Sequence, residues 1–249
     1  MDWGVVRMHK INIAPEILER AKRQRGGSLE LRPLDMSKTA HLIIDMQEAF
    51  LAPGATVEVP VARDIVSNVN RISATVREAG GINVFLRFTY DPSEGRPWTS
   101  WYDVLCGPGM GDVLREAFKL GSKEHQLWPE LDVHDADWII DKTRFSAFVP
   151  GTCDLDERLL AHGIDTVIVT GTLTNCCSEA TARDAHQLAY KVLFVADANA
   201  AVSDLEHNAT LNNLYVTFAD LVQTDELIQL INSQQAVAVA AALAGPLAC

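Results

Sequence analysis

The 249-residue chain has no CxxC pair, no run of basic residues and no long apolar stretch. Its five cysteines, Cys106, Cys153, Cys176, Cys177 and Cys249, are odd in number and irregularly spaced, which argues against a structural zinc site and a disulfide framework. Lys and Arg total 21 against 33 Asp and Glu, a formal net charge of −12, so the electrostatic footprint of a nucleic-acid or anionic-membrane binder is missing. The longest apolar run, "AVAVAAALAG", is too short and too alanine-rich to span a bilayer. The first 27 residues lack the apolar core of a signal peptide. A cytoplasmic, reducing location is the expectation. There is no G-x-S-x-G elbow, no phosphate-binding Walker loop and no G-x-G-x-x-G after a strand. The seven histidines are scattered, with no H-x-H or H-E-x-x-H array.

What is present is a regular alternation. "AHLIIDM" (residues 40–46) is nearly continuous in apolar residues, as a strand covered on both faces should be. Val61, Ile65, Val69, Ile72 and Val76 then recur at helical spacing, and Gly80-Gly81 ends that run. "INVFLRF" is a second strand, "ADWIIDK" a third, "TVIVTG" a fourth and "KVLFVAD" a fifth. Helical segments separate them: "TCDLDERLLAHG", with Asp154 placed to cap it and Gly163 to stop it, and "SEATARDAHQLAY". "DLEHNATLNNLYVTFADLV" reads as mostly helical. This pattern predicts an α/β fold, a three-layer α/β/α sandwich around a mostly parallel sheet. The expected organisation is an N-terminal arm over 1–33, with a short amphipathic helix near Pro15, one domain over 34–230, and a tail helix over 231–249. Residues 89–129 carry Pro92, Pro97, Gly107, Pro108, Gly109 and Gly111 with Trp98, Trp101 and Tyr102, and read as a long insertion or lid.

In such sheets, sites form beyond the carboxyl ends of the strands. Asp45, Lys142 and the loop leading to Cys177 end three different strands. A carboxylate at Asp45 is costly unless partnered, and a nearby nucleophile would make it a general base. Lys142 would hold that carboxylate or stabilise negative charge on a substrate oxygen. Cys177 follows a strand and turn and opens a helix, where free N–H groups favour a thiolate and would bind an oxyanion. Cys176 is expected to be a buried structural thiol. Gln47 either caps the following loop or touches Asp45.

Three stretches, "LIIDMQEAF" (42–50), "IIDKTRFSAF" (139–148) and "VTGTLTNCCSEATARDA" (169–185), resemble the isochorismatase-like cysteine hydrolase superfamily, which includes nicotinamidases, N-carbamoylsarcosine amidases and ureidoacrylate amidohydrolases. The resemblance runs from about residue 34 to 224. It implies a catalytic triad of Asp45, Lys142 and Cys177. It also implies a cis peptide at Thr172–Leu173, and an oxyanion hole from the backbone N–H groups of Leu173 and Cys177. The implied activity is cleavage of a C–N bond in a small amide, carbamoyl or ureido compound through a thioester, by a dimer or tetramer. Nicotinamidases carry an Asp/His metal set after the second strand. Here "RFTYDPSEGRPWTSWYD" has no histidine, so neither a metal nor any other cofactor is expected. Asn175 points weakly towards carbamoyl or ureido substrates. By position, Gln47, Arg87, Tyr90, Trp98, Trp101, Phe148 and Asn175 are candidate substrate contacts, aromatic walls and one cation suited to a small planar polar or anionic molecule. Two alternatives stay open: a vinyl-ether hydrolase with an incidental cysteine, and a silent binding protein of the same fold.

Overall fold

A computed structural model describes residues 8–107 and 109–244. Six strands form one sheet: β1 (Thr39–Ile44), β2 (Ile82–Phe88), β3 (Trp138–Lys142), β4 (Thr166–Thr172), β5 (Lys191–Ala200) and β6 (Asp220–Val222). Every pairing is parallel, and the strand order is β3-β2-β1-β4-β5-β6. The expected α/β sandwich is therefore realised, with a sixth strand that the sequence did not announce. The order runs outward in one direction from β1 and in the other from β4. The switch point of the sheet, where a crevice opens in folds of this kind, falls between the carboxyl ends of β1 and β4.

The strands are continuously apolar because both faces are covered. All six residues of β1 and all seven of β4 are buried. On one face lie α2 (Glu48–Leu51), α3 (Val66–Glu78), α4 (Met110–Ala117) and α8 (Thr224–Ala244). The helical stripe expected around Val69, Ile72 and Val76 is α3, and these three side chains are fully buried against the sheet. Each such side chain contributes on the order of 1.5–3 kcal/mol by leaving water. On the other face lie α5 (Leu155–Ala161), α6 (Glu179–Gln187) and α7 (Asp204–Thr217), through Leu155, Leu159, Ala182, Ala185, Leu211 and Leu214.

Three expectations need correction. The tail helix does not begin at residue 231: α8 starts at Thr224, and its Leu227 and Ile231 belong to the core. Its amino end therefore closes the domain, and residues 245–249 lie outside the described part. Asp154 sits at the N-cap of α5 but makes no capping bond, because its carboxylate accepts from Arg158 Nε at 2.7 Å. The insertion is more regular than expected, with a π-helical turn at Ser100–Leu105 followed by α4. Pro108 lies outside the described residues.

The arm is α1 (Pro15–Gln24) preceded by an extended segment. That segment runs along α7, where Asp204, Asn208 and Asn212, one helical turn apart, accept from the backbone N–H groups of Lys10, Asn12 and Ala14. Among the described residues no helix is long and apolar enough to cross a membrane.

Candidate active site

The backbone of Asp45 stays in the sheet ladder, donating to Leu86 O at 3.0 Å, and then turns into the left-handed region at φ 49°. Aspartate tolerates that region better than most residues. The turn carries the carboxylate inward, where it has no exposure to solvent. Lys142 ends β3, is also fully buried, and donates from Nζ to Asp45 Oδ2 at 2.8 Å. Its second bond goes to Arg144 O at 3.1 Å, and its ammonium lies 5.2 Å from the centre of the Phe88 ring.

Cys177 arrives from the other side of the switch point. β4 approaches β1 so closely that a Cβ on Gly171 would lie 2.1 Å from Ile44 O, and Gly171 adopts φ +119°. Only glycine fits there, and that contact fixes where β4 ends relative to Asp45. After the cis peptide Thr172–Leu173, a π-helical turn (Thr174–Ser178) runs directly into α6. The N–H groups of Cys176 and Ser178 both donate to Leu173 O. Thr174 is tied to His207 Nδ1 at 2.9 Å, which braces the turn against α7.

The three side chains meet. Burial dominates and raises the Asp45 pKa, against smaller opposing effects from the Lys142 charge and the neighbouring Cys177 thiol. Among the described residues Asp45 Oδ1 has no hydrogen-bond partner. Burial works to lower the pKa of Lys142, but the Asp45 carboxylate beside it outweighs this and the pKa is raised overall. The expected thiolate at a helix start is not what the structure favours. Burial, reinforced by Cys176 and the Asp45 charge, pushes the Cys177 thiol well up, and Lys142 opposes this only in part. Cys176 is half-buried, not buried, and a hydrogen bond from Cys177 lowers its pKa. Asp45 and Lys142 thus face each other beside a thiol that burial makes harder to ionise, and burial also makes Asp45 a stronger base.

The other candidate contacts divide. Trp98 and Trp101 form an aromatic wall with Phe145 and Phe88: Trp98 lies 4.7 Å from Phe145 and Trp101 4.9 Å from it. Tyr90 packs edge-on to Tyr102 at 5.3 Å, further along the same insertion. Gln47 stands at the N-cap of α2 and its backbone N–H donates to Asp45 O at 2.8 Å, but its side chain makes no capping bond: the amide donates to Phe88 O and His125 O and accepts from Phe88 N. Arg87 is engaged by Asp141 in two bonds at 2.8 and 3.0 Å. Although burial resists ionisation of Asp141, His125 and Arg87 hold its pKa down to about 2. Phe148 is core, its ring tilted against that of Tyr190 at 5.4 Å. Asn175 is exposed, with a 3.4 Å contact to Glu206. Among the described residues, no three His, Cys, Asp or Glu side chains group in a metal-holding arrangement.

The isochorismatase domain family matches residues 39–226. The chain belongs to that family of hydrolases. It is 30% identical over 200 residues to the uncharacterized isochorismatase family protein YwoC of Bacillus subtilis, covering 80% of this chain and 96% of that one. It is 28% identical to the ureidoacrylate amidohydrolase RutB of Variovorax paradoxus, over 79% of this chain and 82% of that one. It is 32% identical to nicotinamidase 3 of Arabidopsis thaliana, over 76% and 86%. Among solved structures, a cysteine hydrolase from Pseudomonas syringae pv. phaseolicola superposes with a TM-score of 0.73 at 29% identity, over 83% of this chain and 98% of that one. N-carbamoylsarcosine amidase from Thermoplasma acidophilum gives 0.62 at 25% identity, over 76% and 98%.

Proposed function

We propose that the protein is a cysteine-dependent amidohydrolase that cleaves a C–N bond in a small amide, carbamoyl or ureido compound. The observation that carries this reading is the buried contact of Lys142 with Asp45 at 2.8 Å beside the Cys177 thiol. The relatives named for amidohydrolase activity support the reaction class.

In this reading Asp45 takes the Cys177 proton as Sγ attacks the carbonyl carbon. The bond formed is S–C, and the carbonyl electrons move onto oxygen. The backbone N–H groups of Leu173 and Cys177 receive that oxyanion. Collapse of the tetrahedral intermediate breaks the C–N bond, and protonated Asp45 gives its proton to the leaving nitrogen. Water then attacks the thioester with Asp45 again as base, which releases the acid and restores the thiol. Lys142 keeps Asp45 oriented throughout and compensates its charge.

The test is ammonia release from a panel of small amides and ureido compounds, with and without a chelator, using the wild type and Cys177→Ala. Release that survives the chelator and disappears in the variant supports the proposal. Hydrolysis that persists in Cys177→Ala would return the reading to a vinyl-ether-type hydrolase with an incidental cysteine.

A further inference from the structure

His9 lies in the arm, before the matched domain begins at residue 39, yet its side chain is only 3% exposed. Both ring nitrogens are engaged. Nε2 accepts from the Ala201 N–H at 2.9 Å, so the proton sits on Nδ1, which donates to Asp204 Oδ1 at 2.7 Å. The face of the ring stacks on His207, with centroids 4.2 Å apart and planes inclined by 18°. Burial drops the His207 pKa to about 3, so that ring is neutral and no charge opposes the stack.

These contacts reach the nucleophile turn by two routes. His207 Nδ1 pairs with Thr174 Oγ1 at 2.9 Å, and both residues are fully buried. Ala201 follows Ala200, which pairs with Thr172 between β5 and β4 and accepts from Thr172 Oγ1 at 3.2 Å. Thr172 and Thr174 flank Leu173, so one arm side chain stands behind both neighbours of that residue. The arm is itself pinned along α7 by the backbone N–H groups of Lys10, Asn12 and Ala14, which fixes His9 relative to that helix. Donors stabilise an oxyanion only when they are fixed before it forms, and a displacement of about 1 Å costs on the order of 100-fold.

We infer that His9 is a positioning residue for the nucleophile turn. Through His207 and Thr174 on one route, and through Ala201 and Thr172 on the other, it holds the Leu173 N–H where the oxyanion forms. This rests on the proposed reading, which puts the oxyanion at Leu173 and Cys177. His9 acts through the backbone of the turn and takes no part in proton or bond transfer. The arm is then a working part of the site rather than an appendage to the domain.

The test compares a reaction of Cys177 that uses the oxyanion site with one that does not. Acetaldehyde adds to the thiol: an S–C bond forms, the thiol proton passes to the aldehyde oxygen, and that oxygen takes the place of the oxyanion. Iodoacetamide alkylates the same sulfur without forming one. The adduct is titrated by NMR with isotope-labelled acetaldehyde, with Cys177→Ala as the blank, and alkylation of Cys177 is timed by peptide mapping. His9→Ala and Thr174→Val should each weaken the adduct by roughly 10- to 100-fold and leave the rate of Cys177 alkylation unchanged. Thr174→Ser, which keeps the hydroxyl, should retain most of the wild-type affinity. With any panel compound that the wild type hydrolyses, His9→Ala should lower kcat and leave KM unchanged, as for an interaction made only in the transition state. If His9→Ala does not fold, His9→Phe keeps the bulk and the stack without the Ala201 bond, and should show the same loss in smaller measure. An adduct unweakened in the His9 variant, an equal fall in adduct and alkylation, or a wild type that forms no adduct would overturn the inference, and His9 would then only fasten the arm. The expected variant pattern without ammonia release by the wild type would sink the proposed hydrolysis and leave the positioning role standing.

Discussion

Lys142 Nζ lies 2.8 Å from Asp45 Oδ2, and neither side chain reaches solvent. Two charges buried together are sustained by each other, and removing one strands the other in a medium that solvates it poorly. Lys142→Met and Asp45→Asn should each lower unfolding free energy by about 3–5 kcal/mol. Turnover should fall by roughly 10²–10⁴-fold in Asp45→Asn, since the proposed mechanism then has no base. Urea denaturation and ammonia release measure the two effects. An Asp45→Asn protein that is as active as the wild type would remove Asp45 from the chemistry.

The two adjacent thiols should behave in opposite ways. Cys176 is half-buried with its pKa lowered, while burial raises that of Cys177. Alkylation follows thiolate character and access. In the resting protein iodoacetamide should therefore modify Cys176 first, and Cys176→Ala should slow labelling of this segment while preserving turnover. Cys177→Ala should abolish turnover while Cys176 remains reactive. Fragment-ion mapping of the peptide that holds both residues gives the order. Faster modification of Cys177 would show that its thiolate is already formed at rest.

What the sequence disclosed follows from how local each signal is. β1 through β5 were legible because strands buried on both faces are nearly unbroken apolar runs. β6 was not, since Asp220–Val222 is three residues long and is a strand only by pairing with residues 193–195 of β5. Asp45, Lys142 and Cys177 were legible because each interrupts or ends an apolar strand, and the topology sends strand ends to one place. The upward push on the Cys177 pKa was not, because the helix-terminus argument says nothing about burial. The surroundings of the candidate substrate contacts were the least legible. Arg87 looked like the available cation, yet the parallel register sets it opposite Asp141.

His41 gives a pH test of the fold that is independent of the site. It is fully buried between Asn83, Ser73 and Thr170, and burial drops its pKa from 6.5 to about 3, against smaller opposing effects from Asn83 and Asp137. Between those two values the unfolded chain binds a proton that the folded chain refuses. The stabilisation is therefore complete above pH 6.5 and declines as pH falls towards 3, by about 1.4 kcal/mol per pH unit for one proton. His207, with a pKa also near 3, adds a second contribution of the same sign. His41→Asn should remove one proton's worth of the slope in urea stability between pH 6.5 and 4. An unchanged slope would mean that His41 titrates in the folded state.

Gly171 is the position at which fold and site depend on one atom. A Cβ there would lie 2.1 Å from Ile44 O and 2.7 Å from Ile44 N, both rigid backbone of β1, and the φ of +119° is unfavourable for any L side chain. Neither strand can yield cheaply, because both are buried in the centre of the sheet. Gly171→Ala should cost more than about 3 kcal/mol, combining backbone strain with displacement of β4 from β1. Gly151 is the control: its φ is +77°, but a Cβ there meets nothing within 4 Å. Gly151→Ala should therefore cost only about 1 kcal/mol, the ordinary strain of a left-handed alanine. The distinguishing readout is turnover of the fraction that still folds at low temperature. β4 delivers Cys177 and β1 delivers Asp45, so pushing the strands apart separates thiol from base. Folded Gly171→Ala should lose most of its activity per folded molecule, and Gly151→Ala should keep it. Equal specific activity in the two folded variants would mean that the approach of β4 to β1 serves stability alone.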